Sequence, residues 1–420
     1  MDERDLATAL GSALGAVTIE GLTRLSGGAS RETWSFDAVG PGGSRTELVL
    51  RRDPPGRPSE PGAMSREARA IAAARAAGLA VPEVLISTGE PELWGTAGLV
   101  MRRVAGETIA RRILRDGGYR RARQVLVRQA GEFAAGLHAL AVPGDLPAPE
   151  PLAGLRTQLA GFEQVSPVFD LALSTLEADR PPAREPVVVH GDLRLGNLIV
   201  GPDGLRAVID WELVHAGNPA EDLGWFCVKA WRFGVAAPAA GLGSREELLA
   251  AYRAAGGADI TPGELRWWEM FGTLRWGVIC MEQAQVHLSG AHRSVELAAV
   301  GRRVCEQEWD LLLLLAPEAA ARAAARRPRV TGAAQPAPAP HGRPTAGELL
   351  EAVREFLTGQ VMPATTGQLA FHARVAANAL GIVARELELG AIPTETGLAD
   401  QVAARLAVAN PGYFDPAPPP

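Results

Sequence analysis

Apolar and polar positions alternate in short, glycine-punctuated runs over the first hundred residues and then adopt a helical period, which predicts a small β-rich lobe followed by a larger helical one. Leu22 to Phe36 reads as two strands around a flexible tip, Ser26-Gly27-Gly28-Ala29-Ser30. Leu48-Val49-Leu50 is a third strand, stopped by Pro54-Pro55. Ser65 to Ala77 has helix composition, with Ser65 as N-cap and Gly78 as terminator, and Val81 to Ile86 and Leu99-Val100-Met101 complete the lobe as strands. Further on, Leu126, Ala130, Phe133, Leu137 and Leu140 form one helical stripe. A single β interruption follows. Val187-Val188-Val189 runs into His190, and Asn197 to Val200 and Leu205 to Ile209 flank the turn Gly201-Pro202-Asp203-Gly204 as a tight hairpin. Helix resumes over Pro219 to Ala230, Arg245 to Ala255 and Glu264 to Leu288.

Prolines at 328, 336, 338, 340 and 344 mark residues 326–344 as a linker with polyproline character. Three amphipathic helices are expected after it, carried by Leu349, Val353 and Phe356, by Leu369, Ala376, Leu380, Val383 and Leu387, and by Leu398, Val402 and Leu406. The division expected is therefore an N-terminal lobe over 1–103, a helical lobe over 104–325, the linker, and a separate small helical unit over 345–415.

A chain of 420 residues exceeds what one core usually holds, which agrees with that division. The formal net charge of −6 argues against a broad nucleic-acid footprint, and no apolar run is long enough for a membrane helix. The charged start, Met1-Asp2-Glu3-Arg4-Asp5, lacks the apolar core of a secretory signal, so a cytoplasmic address is expected. Cys227, Cys280 and Cys305 show neither disulfide nor zinc spacing.

Candidate chemistry is concentrated between Val187 and Asp222. His190-Gly191-Asp192-Leu193-Arg194-Leu195-Gly196-Asn197 lies on the loop between a strand and the hairpin, and Asp210 ends that hairpin. Phosphoryl transfer asks for a carboxylate at the incoming hydroxyl and for oxygen ligands to a magnesium ion on the phosphates. Asp192 answers the first need, and Asn197 and Asp210, which open and end the hairpin and so converge at one end of a two-stranded ribbon, answer the second.

These residues, with Ile209-Asp210-Trp211-Glu212, resemble the aminoglycoside phosphotransferase and choline kinase family, relatives of protein kinases. The resemblance covers about residues 20 to 315 and implies an α+β, two-lobed protein-kinase-like fold, here with an additional C-terminal helical domain. It implies ATP and Mg²⁺ as cofactors and a small-molecule hydroxyl as acceptor. Ser26, Gly27, Gly28 and Ser30 then correspond to the hairpin that covers the nucleotide, and Met101 and Arg103 to the lobe connection that meets the base. Where the family usually places a lysine on the third strand, this chain has Arg51, a substitution that resembles the branch associated with acyl-CoA dehydrogenases. Glu67 matches its carboxylate partner. Arg194 could clamp an anionic substrate group or the phosphate in transfer, or brace the loop. His190 has the chemistry of a general base, although its family counterpart mostly holds the loop. Asp222 is implied as a loop brace. Glu212 is open between substrate, second metal and helix cap, and Arg275 and Trp276 lie where the family builds its acceptor pocket. Two other functions stay open: a nucleotide-binding pseudokinase, and a scaffold that binds a protein partner or itself through residues 345–415.

Overall fold

The computed structural model of the protein describes residues 3–25, 31–54, 60–88, 96–162, 166–332, 344–393 and 395–414. Its N-terminal lobe is a five-stranded antiparallel sheet of β1 (Thr18–Arg24), β2 (Glu32–Val39), β3 (Arg45–Arg52), β4 (Val84–Thr88) and β5 (Gly98–Arg102), in the spatial order β1-β2-β3-β5-β4. Alternation along each strand gives the sheet two different faces. Phe36, Ala38, Leu48, Leu50 and Val100 point to one side, where helix α1 (Glu3–Leu14) closes a small core with Leu6 and Leu10. Their strand neighbours point the other way, Leu99 and Met101 into the main core beside α2 (Ala63–Ala76) and Arg51 toward the cleft between the lobes. Helix α1 was not expected; an interior glycine and only two fully buried leucines make its pattern faint. Helix α2 begins two residues before the expected Ser65, behind Gly62 at φ 79°, so Ser65 is not its cap. The glycine tip 26–30 lies outside the described residues.

The larger lobe begins with α3 (Ala110–Arg115), α4 (Arg120–His138), α5 (Pro151–Ala160) and α6 (Pro167–Ala178). Strand β6 (Val187–Val189) leads to the loop at His190, and the hairpin expected from sequence is β7 (Leu198–Gly201) paired with β8 (Gly204–Val208). A short β9 (His215–Gly217) returns antiparallel to β6. Helices α7 (Ala220–Cys227), α8 (Arg245–Ala254), α9 (Pro262–Leu288), α10 (Val295–Gly301), α11 (Val304–Leu315) and α12 (Pro317–Arg326) finish the lobe. Helix α9 is nucleated by a proline in its first turn and by a reciprocal capping box between Thr261 and Glu264.

The C-terminal region holds α13 (Ala346–Phe356), the short α14 (Met362–Ala364), α15 (Gly367–Leu389) and α16 (Leu398–Ala409). Contrary to a separate tethered unit, α16 shares the larger lobe's core: Val402, Ala403 and Leu406 are completely buried within it. The amphipathic period of 398–406 was legible, but not the surface it meets, because that surface is assembled from α11 and α12. Helix α13, by contrast, leaves Leu349, Val353 and Phe356 about half exposed.

Candidate active site

Strand β6 delivers the loop, and Asp222 on the first turn of α7 fixes it. One Asp222 oxygen accepts from the His190 amide at 2.8 Å and the other from the Gly191 amide at 2.9 Å. Burial alone would raise this carboxyl, but the hydrogen bonds from His138 and from the His190 amide hold it below the usual carboxylate range. Gly191 has φ 79°, and a Cβ there would stand 2.5 Å from the Leu213 carbonyl oxygen, so only glycine allows this approach.

Both ring nitrogens of His190 are committed. Nδ1 accepts from the Asp192 amide at 3.2 Å and Nε2 donates to the Ile209 carbonyl at 3.2 Å, which together select one neutral tautomer. The ring stacks edgewise on Trp211 with centroids 4.8 Å apart. His190 is therefore placed as a brace between the loop and the end of β8, not as a general base.

The Asp192 carboxylate receives three side-chain donors: Asn197 Nδ2 at 2.6 Å, Trp225 Nε1 at 2.7 Å and Arg194 Nε at 3.0 Å. Because a carboxylate can only accept, the Asn197 amide must turn its nitrogen to Asp192, which leaves its oxygen for a cation. Asn197 and Asp210 come together because the Ile209 amide donates to the Asn197 carbonyl at 2.9 Å across the base of the hairpin. Asp210 itself has φ 70°, a left-handed conformation uncommon outside glycine, which marks a constrained position at the cleft. The Asn197 amide oxygen and the Asp210 carboxylate are hard oxygen donors, the donor type that magnesium takes.

Across the cleft, Arg51 Nη1 donates to Glu67 Oε1 at 2.6 Å and Arg51 Nη2 to Asp210 Oδ1 at 2.6 Å. Burial would raise the Asp210 carboxyl, but Arg51 and Arg194 hold it below the usual carboxylate range. The second Glu67 oxygen is taken by Arg31, a residue the sequence reading passed over. Arg31 is also 3.4 Å from Asp53 and 3.8 Å from Glu212, which ties Glu212 to the cation cluster of the cleft. Its signal was present in the alternation, since Arg31, Thr33, Ser35 and Asp37 occupy one face and Thr33 pairs directly with Arg51. Trp225 was missed as well. It stands three residues after Asp222 on α7, so one helix face presents both the loop's brace and a donor to Asp192.

Met101 is buried at the lobe junction. The Arg103 guanidinium donates to Ser35 Oγ at 2.7 Å and Asp37 at 3.0 Å and also pairs with Glu47, so its side chain braces the sheet's cleft face. Arg194 lies over the Trp231 ring at 4.8 Å. Concavities of about 480 and 650 Å³ lie elsewhere, beside α16 and between α4 and α8; the candidate chemistry is set by the convergent side chains of the interlobe cleft.

A sheet-bearing small lobe joined to a helical lobe, with a brace-held loop, an asparagine and a second aspartate at their junction, is the arrangement of kinase-like phosphotransferases acting on small molecules. The chain belongs to the phosphotransferase enzyme family (APH), whose model matches residues 21–268. A domain of unknown function (DUF6285) matches residues 363–397. Among curated relatives, mouse acyl-CoA dehydrogenase family member 10 is 31% identical over 196 residues, which are 43% of this chain and 18% of the mouse protein. The chain thus spans less than a third of that relative's length. Among solved structures, a protein assigned as an aminoglycoside phosphotransferase from Ralstonia eutropha JMP134 matches with a TM-score of 0.59 and 22% identity, over 74% of this chain and 98% of that one. A spectinomycin phosphotransferase in complex with ADP and spectinomycin matches with a TM-score of 0.56 and 12% identity, over 76% and 99% of the two chains. Among the described residues, no helix is long and apolar enough to cross a membrane.

Proposed function

We propose that the chain is an ATP- and Mg²⁺-dependent phosphotransferase that moves the γ-phosphate to a hydroxyl of a small molecule, a hydroxyacyl-CoA or related metabolite, in the cytoplasm. The observation that carries this reading is the three-donor cradle around Asp192 facing the Arg51, Glu67 and Asp210 network across one cleft. Asp192 orients the acceptor hydroxyl and takes its proton, and the cradle fixes the carboxylate before the substrate arrives. Arg194 steadies charge on the phosphoryl group in transfer. Arg51, kept in place by Glu67, grips the inner phosphates, with Arg31 holding the other Glu67 oxygen. Asn197 and Asp210 would hold magnesium, which when bound would neutralise charge on the phosphates. The ADP bound by the spectinomycin phosphotransferase supports nucleotide use, and the name of the mouse relative supports an acceptor from acyl-CoA metabolism. The half-exposed apolar residues of α13 support protein contact or self-association through residues 345–415.

The test is Mg²⁺-dependent ADP release against hydroxyacyl-CoAs, aminoglycosides, choline and sugars. Release stimulated at least tenfold by one acceptor class is the expected result, and nucleotide binding without release for any acceptor refutes the proposal. A second reading, the pseudokinase, is favoured by one contact: Arg51 occupies the Asp210 oxygen a metal would use. Arg51→Lys separates the two. A guanidinium can keep Glu67 while reaching phosphate, whereas an ammonium is a single point, so kcat/KM for ATP is expected to fall about tenfold. A rise on the same substitution would mark the natural arginine as degenerate.

A further inference from the structure

A second histidine stands behind the loop at His190. His215 is buried on β9, directly opposite Val189, the last residue of the strand that delivers that loop. Its Nδ1 is 2.8 Å from the Leu213 carbonyl oxygen and its Nε2 is 3.1 Å from Glu221 Oε2. Both partners are acceptors. A neutral imidazole has one N–H and would turn a lone pair toward one of them, so only the imidazolium satisfies both contacts. His190 differs, because its Nδ1 accepts from the Asp192 amide. Burial would lower the His215 pKa, but the Glu221 carboxylate and the Leu213 carbonyl hold it above the ordinary histidine value.

Both partners of His215 support the loop in turn. The Leu213 carbonyl is the atom packed so closely on Gly191 that a Cβ there would stand 2.5 Å away. Glu221, buried on the first turn of α7, has its other oxygen 3.3 Å from Arg275 Nη1 of α9, and the same nitrogen donates to the Gly191 carbonyl at 3.3 Å. Arg275 also lies over the Trp225 ring at 5.1 Å, and Trp225 donates to Asp192 Oδ1 at 2.7 Å. Among the described residues, the other charged or titratable groups on the elements around His215 are Asp222 of α7, His138 of α4 behind it, and His190 after the valines of β6. Asp222 is taken up by the His190 and Gly191 amides and by His138, so Glu221 is the carboxylate that answers to His215. Loss of the His215 proton sets a lone pair against either Glu221 or the Leu213 carbonyl, and each of these holds Gly191.

We propose that His215 is a positioning residue for phosphoryl transfer, whose imidazolium form holds Glu221 and the Leu213 carbonyl and through them sets Gly191 and Asp192 for the acceptor hydroxyl. This rests on the phosphotransferase reading and adds an alkaline limit to it. The contribution is fully present below the unfolded-state histidine pKa and is lost as pH rises through the higher folded-state value.

The experiment follows kcat and the KM for ATP across pH at saturating Mg²⁺, with the acceptor found by ADP release, in the full chain and in its His215→Gln, Glu221→Gln and doubly substituted variants. In the natural protein kcat is expected to fall about tenfold on the alkaline side while the KM for ATP stays within about twofold. His215→Gln keeps a donor toward Glu221 without the charge, so its kcat should be about tenfold lower on the acid side of that limb and should not fall further across it. The double variant should lose no more than either single one, because the pair acts as a unit. Nitrogen NMR of labelled histidines in the natural protein, which needs no substitution to fold, should show both His215 nitrogens protonated to a higher pH than those of the exposed His292. An alkaline limb that persists in His215→Gln, a kcat in that variant within about twofold of the natural one at every pH, or a His215 that loses its proton no later than His292 overturns the inference. Absence of turnover with any acceptor in the natural protein refutes the functional reading and this inference with it, a result distinct from turnover that is indifferent to His215.

Discussion

Asparagine in place of Asp192 is expected to lower kcat by about 10²- to 10⁴-fold while nucleotide affinity stays within about twofold. The substitution changes almost no volume and leaves Asn197, Trp225 and Arg194 in place, so the loop keeps its shape. What it removes is the charge and the basic oxygen that the three donors hold toward the acceptor. Steady-state turnover with the acceptor found by ADP release, together with calorimetric binding of ATP, separates these effects. A variant that kept more than about a tenth of its turnover would place the proton acceptor elsewhere, since such a loss is smaller than general-base removal gives.

Deleting residues 398–420 is expected to prevent stable folding of the catalytic lobe. Three acidic side chains of α11 are buried, and each takes a partner from the C-terminal segment: Asn410 donates to Glu306 at 3.0 Å, Arg405 to Glu308 at 2.7 Å and the Tyr413 hydroxyl to Asp310 at 2.7 Å. Burial pushes the Glu308 and Asp310 carboxyls above their usual range even with Arg405 and Lys229 beside them. Lys229 pairs with Asp310 at 2.9 Å and stands 4.0 Å over the Tyr413 ring, and the Trp309 and Phe414 rings meet at 5.0 Å. Losing the segment strands these groups and opens the core around Val402 and Leu406. Emptying either of those two buried positions costs about 2–5 kcal/mol, against a total stability of about 5–15 kcal/mol for a domain. Leu406→Ala, read by denaturant unfolding, should therefore lose a few kcal/mol, and the deletion should yield no cooperative transition. A truncated chain melting at the full-length temperature would restore the view of an independent C-terminal unit.

The fold was legible where period and punctuation agree. The β7–β8 hairpin, the strands at Leu48 and Leu99 and the long α9 carry their own signals in alternation, turn residues and caps. The loop residues were legible because Asp192, Asn197 and Asp210 are polar interruptions between apolar runs, a pattern that packing alone does not produce. Arg31 and Trp225 were not, because each acquires its role from a residue distant in sequence: Arg31 from Glu67, and Trp225 from Asp192. The same reason hid the docking of α16. Its apolar stripe is visible, but only the folded chain shows that Glu306, Glu308 and Asp310 wait for it. For His190, the residue type allows catalysis or bracing, and the choice depends on what its two nitrogens touch.

The most direct test of the central claim is identification of the product. The protein is incubated with ATP, Mg²⁺ and the stimulating acceptor, and the acceptor is analysed by mass spectrometry and phosphorus NMR, with the Asp192→Asn variant in parallel. One phosphate ester on the acceptor hydroxyl is expected, formed in proportion to ADP and nearly absent in the variant. ADP formed with only free phosphate beside it, or an ester formed equally by the variant, would contradict it.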